Sequence, residues 1–232
     1  MARVHVVTEG STEKNFVDNV LKPYLAPKGV YLDAHSVTTR KDRRKNRIYR
    51  GGLDNVEHLI RDLQLWLAES QHQNDCFVTT MVDLYAFPYH QKPEWIADFE
   101  SQPNGLQKAQ FLEQKLSEYF DQYPRFIPYI QVHEFEALLL TDTQTIHDAF
   151  KTLHSANKLQ QLKEHLEGLP PEDVNQGRQS APSKRIIKFY PEYEDDKPTW
   201  GTIIALEIGI DKMRLVCPHF NEWVLTLETL AD

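Results

Sequence analysis

The sequence predicts an α/β protein: a Rossmann-like N-terminal core with a mainly parallel sheet, followed by a mostly helical C-terminal region. Three observations predict it. Short β-rich runs alternate with segments whose apolar residues recur at helical spacing, as parallel crossovers require. Acidic residues stand at the ends of those runs. From about residue 145 the pattern becomes helical almost throughout.

Val4, Val6 and Val7 form the first β-rich run, and Thr8-Glu9-Gly10-Ser11-Thr12 is a turn. Phe16, Val17, Val20, Leu21 and Leu25 then recur at helical spacing. Residues 30–37 predict a second strand. Leu53, Val56, Leu59, Ile60, Leu63, Trp66 and Leu67 mark an amphipathic helix, and Cys76–Val82 a third strand ending at Asp83. Tyr85–Pro103 reads as a long loop rich in Tyr, Pro and Trp, before a helix over about 106–120. Phe126–Val132 is a further strand, with Pro128 marking an edge or a short segment. His133–Leu140 reads as helix, and Pro170-Pro171 and the acidic turn 192–196 interrupt the helical remainder. The division expected is a core over 1–142 and a helical region over 143–232 packed on it, or one domain throughout.

Composition excludes several classes. With 232 residues, 41% hydrophobic and 26% charged, the chain has the make-up of a globular protein that buries a sizeable core. A net charge of −8 argues against a protein that coats nucleic acid with its whole surface, but permits a local basic site. No stretch approaches the roughly 20 apolar residues of a membrane span, and the N-terminus runs straight into a strand pattern without a signal peptide's apolar segment. Cys76 and Cys217 read as buried thiols, which suits the cytoplasm. They make no zinc site, and the ten histidines show no paired spacing such as His-Glu-x-x-His, so zinc is not expected.

Ligands of open parallel sheets bind beyond the carboxyl ends of the strands. Glu9 and Asp83 sit at such ends, and Glu13, four residues after Glu9, can face the same region. Three converging carboxylates repel one another unless they are protonated or hold a hard cation, for which Mg²⁺ or Mn²⁺ is the natural choice. The same residues also fit a plainer role, since an acid near a helix N-terminus is favoured by the macrodipole and acids commonly end strands.

Arg40, Lys41, Arg43, Arg44, Lys45, Arg47 and Arg50 set seven cations against the single acid Asp42. Such a run holds a phosphate backbone or forms a solvated loop. Its place after a strand and before a helix puts it on the same rim as Glu9. His133 is a candidate general base, because an unperturbed imidazole titrates near neutral pH, with Glu136 one turn on to orient it; a hydrogen-bonded structural histidine is the alternative. Tyr85, Phe87, Tyr89 and Trp95 stack on bases, cover the sheet edge or meet a partner protein.

The run Val6-Val7-Thr8-Glu9-Gly10-Ser11-Thr12-Glu13, with Val82-Asp83 further on, resembles the TOPRIM domain of topoisomerases, primases and OLD-type nucleases. More specifically, the whole chain is similar to a bacterial TOPRIM-like family known as domain of unknown function 4276, often encoded beside SMC/OLD-type ATPases. The matching pieces are Glu9-Gly10-x-x-Glu13, Asp83, His133-Glu134-Phe135-Glu136-Ala137, Pro182-Ser183-Lys184-Arg185 and Cys217-Pro218-His219-Phe220. The resemblance implies a Mg²⁺-dependent nuclease with Glu9, Glu13 and Asp83 as metal ligands. Glu9, Asp83, His133, Glu136 and Lys184 would be catalytic, with Arg185 and the basic run on nucleic acid. It also implies a role in antiphage defence beside an ATPase partner. One departure stands out: Tyr85 occupies the place of the second TOPRIM aspartate, which leaves Glu134 or Glu136 to replace it. The alternatives are a non-catalytic module that binds an ATPase or nucleic acid, and a phosphoryl transferase using the same metal. Lys184 and Arg185, and Lys197 after the acidic turn, serve either phosphate or ion pairs within the fold.

Overall fold

In a computed structural model, residues 1–42, 47–50, 52–174 and 180–231 are described. Strand β1 (Ala2–Thr8) leads into helix α1 (Ser11–Phe16), a wider helical turn over Val17–Leu21, and α2 (Lys22–Leu25). Pro23 has no N–H for an i−4 bond, which accounts for irregular winding just before it. Gly29 takes a left-handed φ of 78° and turns the chain into β2 (Val30–Ser36).

The expected basic loop is instead an antiparallel ribbon, β3 (Thr38–Asp42) against β4 (Arg47–Arg50). Its base is fixed to α3 (Val56–Ser70): the Thr38 N–H donates to Asp62 at 2.7 Å, and Arg61 donates to the Thr38 carbonyl. Asn55 caps α3 by accepting from the Glu57 N–H at 2.9 Å. Strand β5 (Cys76–Asp83) follows. Within the expected loop the structure has α4 (Pro93–Ser101), started by Pro93 and held by buried Trp95 and Phe99, four residues apart on one face. Helix α5 (Gly105–Tyr119) is capped by Asn104.

The expected strand 126–132 is two short pieces, β6 (Phe126–Ile127) and β7 (Ile130–Gln131), both parallel to β5. Pro128 lacks the N–H a ladder needs. Side chains of β5 bridge the gap. The Thr80 hydroxyl donates to the Tyr129 carbonyl at 2.7 Å and accepts from its N–H at 2.8 Å.

The chain then passes through α6 (Glu136–Leu139), α7 (Thr143–Phe150), α8 (Ala156–Leu166), α9 (Pro182–Phe189), α10 (Lys197–Ile208), α11 (Ile210–Val216) and α12 (Pro218–Glu228). The helix expected over 133–140 is thus only its last part.

The five-stranded sheet has the order β2-β1-β5-β6, with β7 also on β5, and every pairing in it is parallel. Because alternate strand residues face opposite ways, Val4 and Val6 enter one core with α1, α2 and the C-terminal helices. Val7 enters a second core with α3, α4 and α5. The C-terminal region shares the first core and clamps the sheet directly. The Trp223 indole N–H donates to Thr79 of β5 at 2.9 Å, and its ring stacks on Tyr129 at 4.2 Å. Cys76 and Cys217 are buried free thiols. No helix among the described residues is long and apolar enough to cross a membrane.

Candidate active site at the carboxyl ends of the strands

Strands β1 and β5 are adjacent, so Glu9 and Asp83 leave the same edge side by side. Glu13 is brought to this edge by the start of α1, where its carboxylate turns back to accept the Gly10 N–H at 2.9 Å. The chain leaving β7 runs beside the chain leaving β5: the Leu84 N–H donates to the Gln131 carbonyl at 3.0 Å and the Tyr85 N–H to the His133 carbonyl at 3.1 Å. His133 then turns sharply with a left-handed φ of 64°, which delivers Glu134 and Glu136 to the same edge. Asp83 accepts the Phe135 N–H at 2.9 Å, and Glu134 accepts the Ser183 N–H at 3.0 Å. Glu136 accepts the Tyr193 hydroxyl at 3.2 Å and lies 3.7 Å from the Lys197 ammonium. Helix α10 approaches closely enough to bring in Lys197 because residue 201 is glycine. A Cβ there would stand 3.0 Å from the Phe135 ring and 3.2 Å from the Tyr193 hydroxyl.

These carboxylates resist ionisation together. Burial, then the charge of Glu13, pushes Glu9 up to about 8, opposed in part by the backbone amides of Asp83 and Leu53. Burial raises Glu13 as well. Asp83 is raised well above the usual carboxylate range by burial and then by Glu13, Glu9, Glu136 and Glu134. Glu136 rises to about 7 through burial, with Lys197 pulling against it. Glu9 Oε2 is buried and has no hydrogen-bond partner. A buried oxygen of this kind is costly unless something positive meets it. Carboxylate oxygens are hard donors that gain charge when a cation displaces their protons, and such donors fit Mg²⁺ or Mn²⁺. The cluster is looser than a closed cage: among the described residues, the trio of donor atoms lying within 4.8 Å of one another is His5, Asp33 and His35, elsewhere on the sheet.

Other expected site residues are placed differently. His133 is 3% exposed, and its Nε2 lies 2.6 Å from the Glu172 carbonyl, so that nitrogen carries the proton. Its Nδ1 is buried without a partner, and burial lowers its pKa. Glu136 does not orient it, being engaged by Tyr193 and Lys197. The ring lines a cleft of about 470 Å³ with Tyr85, Tyr89, Phe99 and Lys108. Phe87 and Trp95 are core residues.

Arg185 is a correction. It is 4% exposed, and its guanidinium donates to the carbonyls of Ser180 and His165, so it does not reach out to a phosphate. Lys184 is half exposed and pairs with Glu194 at 3.5 Å. Arg43, Arg44 and Lys45 lie outside the described residues, and of Arg40, Lys41, Arg47 and Arg50 only the backbone pairing is described. That pairing sets the ribbon on the rim at the end of β2, where the Val37 N–H donates to the Thr8 carbonyl at 2.9 Å.

The whole acid cluster lies inside a segment, residues 8–228, that matches one family model, the domain of unknown function DUF4276. The chain belongs to the DUF4276 family. That match also takes in Lys197, Gly201 and the Cys217–Phe220 segment. The search of curated proteins found no match. Among solved structures, the C-terminal region of the Burkholderia pseudomallei OLD protein is similar at 12% identity, with 100% of each chain covered and a TM-score of 0.49. The C-terminal region of the Xanthomonas campestris pv. campestris OLD protein is similar at 11% identity, with 97% of each chain covered and a TM-score of 0.38.

Residue patterns alone gave no weight to Tyr193, Gly201 or Glu172. Their signals are faint: a tyrosine four residues before Lys197 beside an acidic stretch, and a glycine inside an otherwise apolar helix.

Proposed function

We propose that this protein is a divalent-cation-dependent phosphodiesterase acting on DNA or RNA. The observation that carries the proposal is the convergence of Glu9 and Asp83 from adjacent parallel strands, both made harder to ionise by burial and by the charge of Glu13, with Glu9 Oε2 buried and unpartnered. Glu9, Glu13 and Asp83 hold Mg²⁺ or Mn²⁺, and Glu134 or Glu136 supplies the acid that Tyr85 replaces. When bound, such an ion lowers the pKa of a coordinated water and neutralises charge on a phosphate.

The protein's own residues do the rest. Glu136, which burial raises to about 7, exchanges a proton at working pH, whereas His133, whose pKa burial lowers, has its Nε2–H committed to the Glu172 carbonyl. Lys197 holds Glu136 and offsets local negative charge. The basic run of Arg40, Lys41, Arg43, Arg44, Lys45, Arg47 and Arg50 contacts the sugar-phosphate backbone. Resemblance to TOPRIM and OLD-type nucleases extends the proposal to antiphage defence beside an SMC/OLD-type ATPase partner in the cytoplasm.

The test is hydrolysis of plasmid DNA and of single-stranded RNA with Mg²⁺, Mn²⁺ or EDTA. Cleavage by the wild type that needs the ion and disappears in Glu9→Gln/Asp83→Asn supports the proposal, and cleavage that survives the double change refutes it. Tyr85 favours a second reading, a non-catalytic module binding nucleic acid or an ATPase. That reading predicts binding indifferent to EDTA and no turnover on either polymer.

A further inference from the structure

We propose that His5, His35 and Asp33 form a second metal site, separate from the acid cluster, that takes one Zn²⁺ ion. Strand pairing places His5 of β1 beside Asp33 of β2, and His35 is two residues on, on the same face. His5 Nδ1 is 3.3 Å from His35 Nε2, and that same Nε2 is 3.2 Å from Asp33 Oδ2. A tetrahedral ion with bonds of about 2.0–2.1 Å sets its ligand atoms about 3.3 Å apart, so both separations match edges of such a shell. Without an ion the geometry is awkward. One ring nitrogen carries at most one hydrogen, so a protonated Nε2 serves two acceptors with a single bond, and an unprotonated one points its lone pair at a carboxylate. An ion accepts all three lone pairs.

The site is built. Trp66 of α3 stacks on both imidazoles, 3.8 Å from His35 and 4.5 Å from His5 between ring centres, and fixes their planes. The Asp33 side chain is 65% exposed, which leaves a fourth position open to water. Two imidazoles and one carboxylate suit Zn²⁺ better than the oxygen-seeking Mg²⁺. His5 lies on β1 four residues before Glu9, which follows the strand's end, about 13 Å at the usual rise, so neither site uses the other's ligands. An ion here clips edge strand β2 to β1 and stabilises the sheet.

The experiment is equilibration of the metal-stripped full chain with ZnCl₂, followed by elemental analysis after desalting and by thermal unfolding. In parallel, Co²⁺ is titrated while visible absorption and tryptophan emission are recorded. The wild type is expected to retain one Zn²⁺ per chain, to unfold at higher temperature with zinc, and to give Co²⁺ bands with quenching through Trp66. Asp33→Asn, an exposed change that leaves the core intact, should weaken zinc at least about tenfold. His5→Gln/His35→Gln should abolish the Co²⁺ bands, and Glu9→Gln should retain both signals. Equal zinc content and equal Co²⁺ spectra in wild type, Asp33→Asn and the double histidine variant would overturn the assignment, as would a wild type that keeps no zinc.

Discussion

The carboxylate of Asp83 accepts the backbone N–H of Phe135 at 2.9 Å, which ties the acid that ends β5 to the turn carrying Glu134 and Glu136. This bond adds to the backbone bonds of Leu84 and Tyr85 to Gln131 and His133 in holding the acids of β1 and β5 near those supplied after β7. Asp83→Asn keeps an acceptor for Phe135 and removes the charge, whereas Asp83→Ala loses both. Ion-dependent hydrolysis should fall about 100-fold or more in each, but only Asp83→Ala should also lose stability, about 1–3 kcal/mol by urea unfolding.

Glu9→Gln should make the metal-free protein more stable while abolishing activity. The change removes a charge that burial and Glu13 both oppose, and keeps the side chain's shape. Melting in EDTA should occur a few degrees higher than for wild type, and added Mg²⁺ should raise it no further. A lower melting temperature in EDTA would show that Glu9 is not strained by its neighbours.

The pH dependence has a fixed sign. Glu9 and Glu136 are raised in the folded protein, to about 8 and about 7. Their contribution is therefore fully present below the ordinary carboxylate pKa and is lost as pH rises through those values. Thermal stability in EDTA should fall between about pH 5 and pH 8. Because ions bind the deprotonated carboxylates, the stabilisation by Mn²⁺ should grow over the same window.

Gly201→Ala sets two effects against each other. Alanine in a helix gains up to about 1 kcal/mol over glycine. The new Cβ, however, meets the Phe135 ring at 3.0 Å and the Tyr193 hydroxyl at 3.2 Å, and both rings are fully buried. Overpacking of that kind costs about 1–3 kcal/mol, so the clash wins. Denaturant unfolding should show net destabilisation, and activity should drop as α10 carries Lys197 away from Glu136.

Glu172 holds the start of α12. Its two oxygens accept the N–H groups of His219 at 3.2 Å and Phe220 at 3.1 Å, while its carbonyl accepts His133. Glu172→Ala leaves two buried donors unpaired and should cost about 2–4 kcal/mol in chemical unfolding. Glu172→Gln keeps one good acceptor and should cost less.

Much of this was legible in the sequence because it is local. The alternation of Val4, Val6 and Val7, the helical recurrence after Glu9, and Asp83 closing an apolar run place strands, crossovers and two acids without tertiary information. What escaped depends on distant partners. Trp95 reads as a loop aromatic because only its burial with Phe99 against the second core shows that Pro93 starts a helix. Arg185 reads as a phosphate contact because nothing nearby announces that Ser180 and His165 take its donors. His5, Asp33 and His35 escaped a spacing search because the pair that meets is thirty residues apart, joined by strand register. The Cys217–Phe220 segment, conspicuous as a motif, becomes intelligible once Glu172 is seen to cap it.

The most direct test of the central claim is calorimetric titration with Mn²⁺ in the His5→Gln/His35→Gln background, where the flanking site is removed. One Mn²⁺ per chain, lost when Glu9→Gln is added and accompanied by proton release near pH 7, is the predicted result. Mn²⁺ binding that persists undiminished with Glu9→Gln and Asp83→Asn together would contradict a metal centre at the carboxyl ends of β1 and β5.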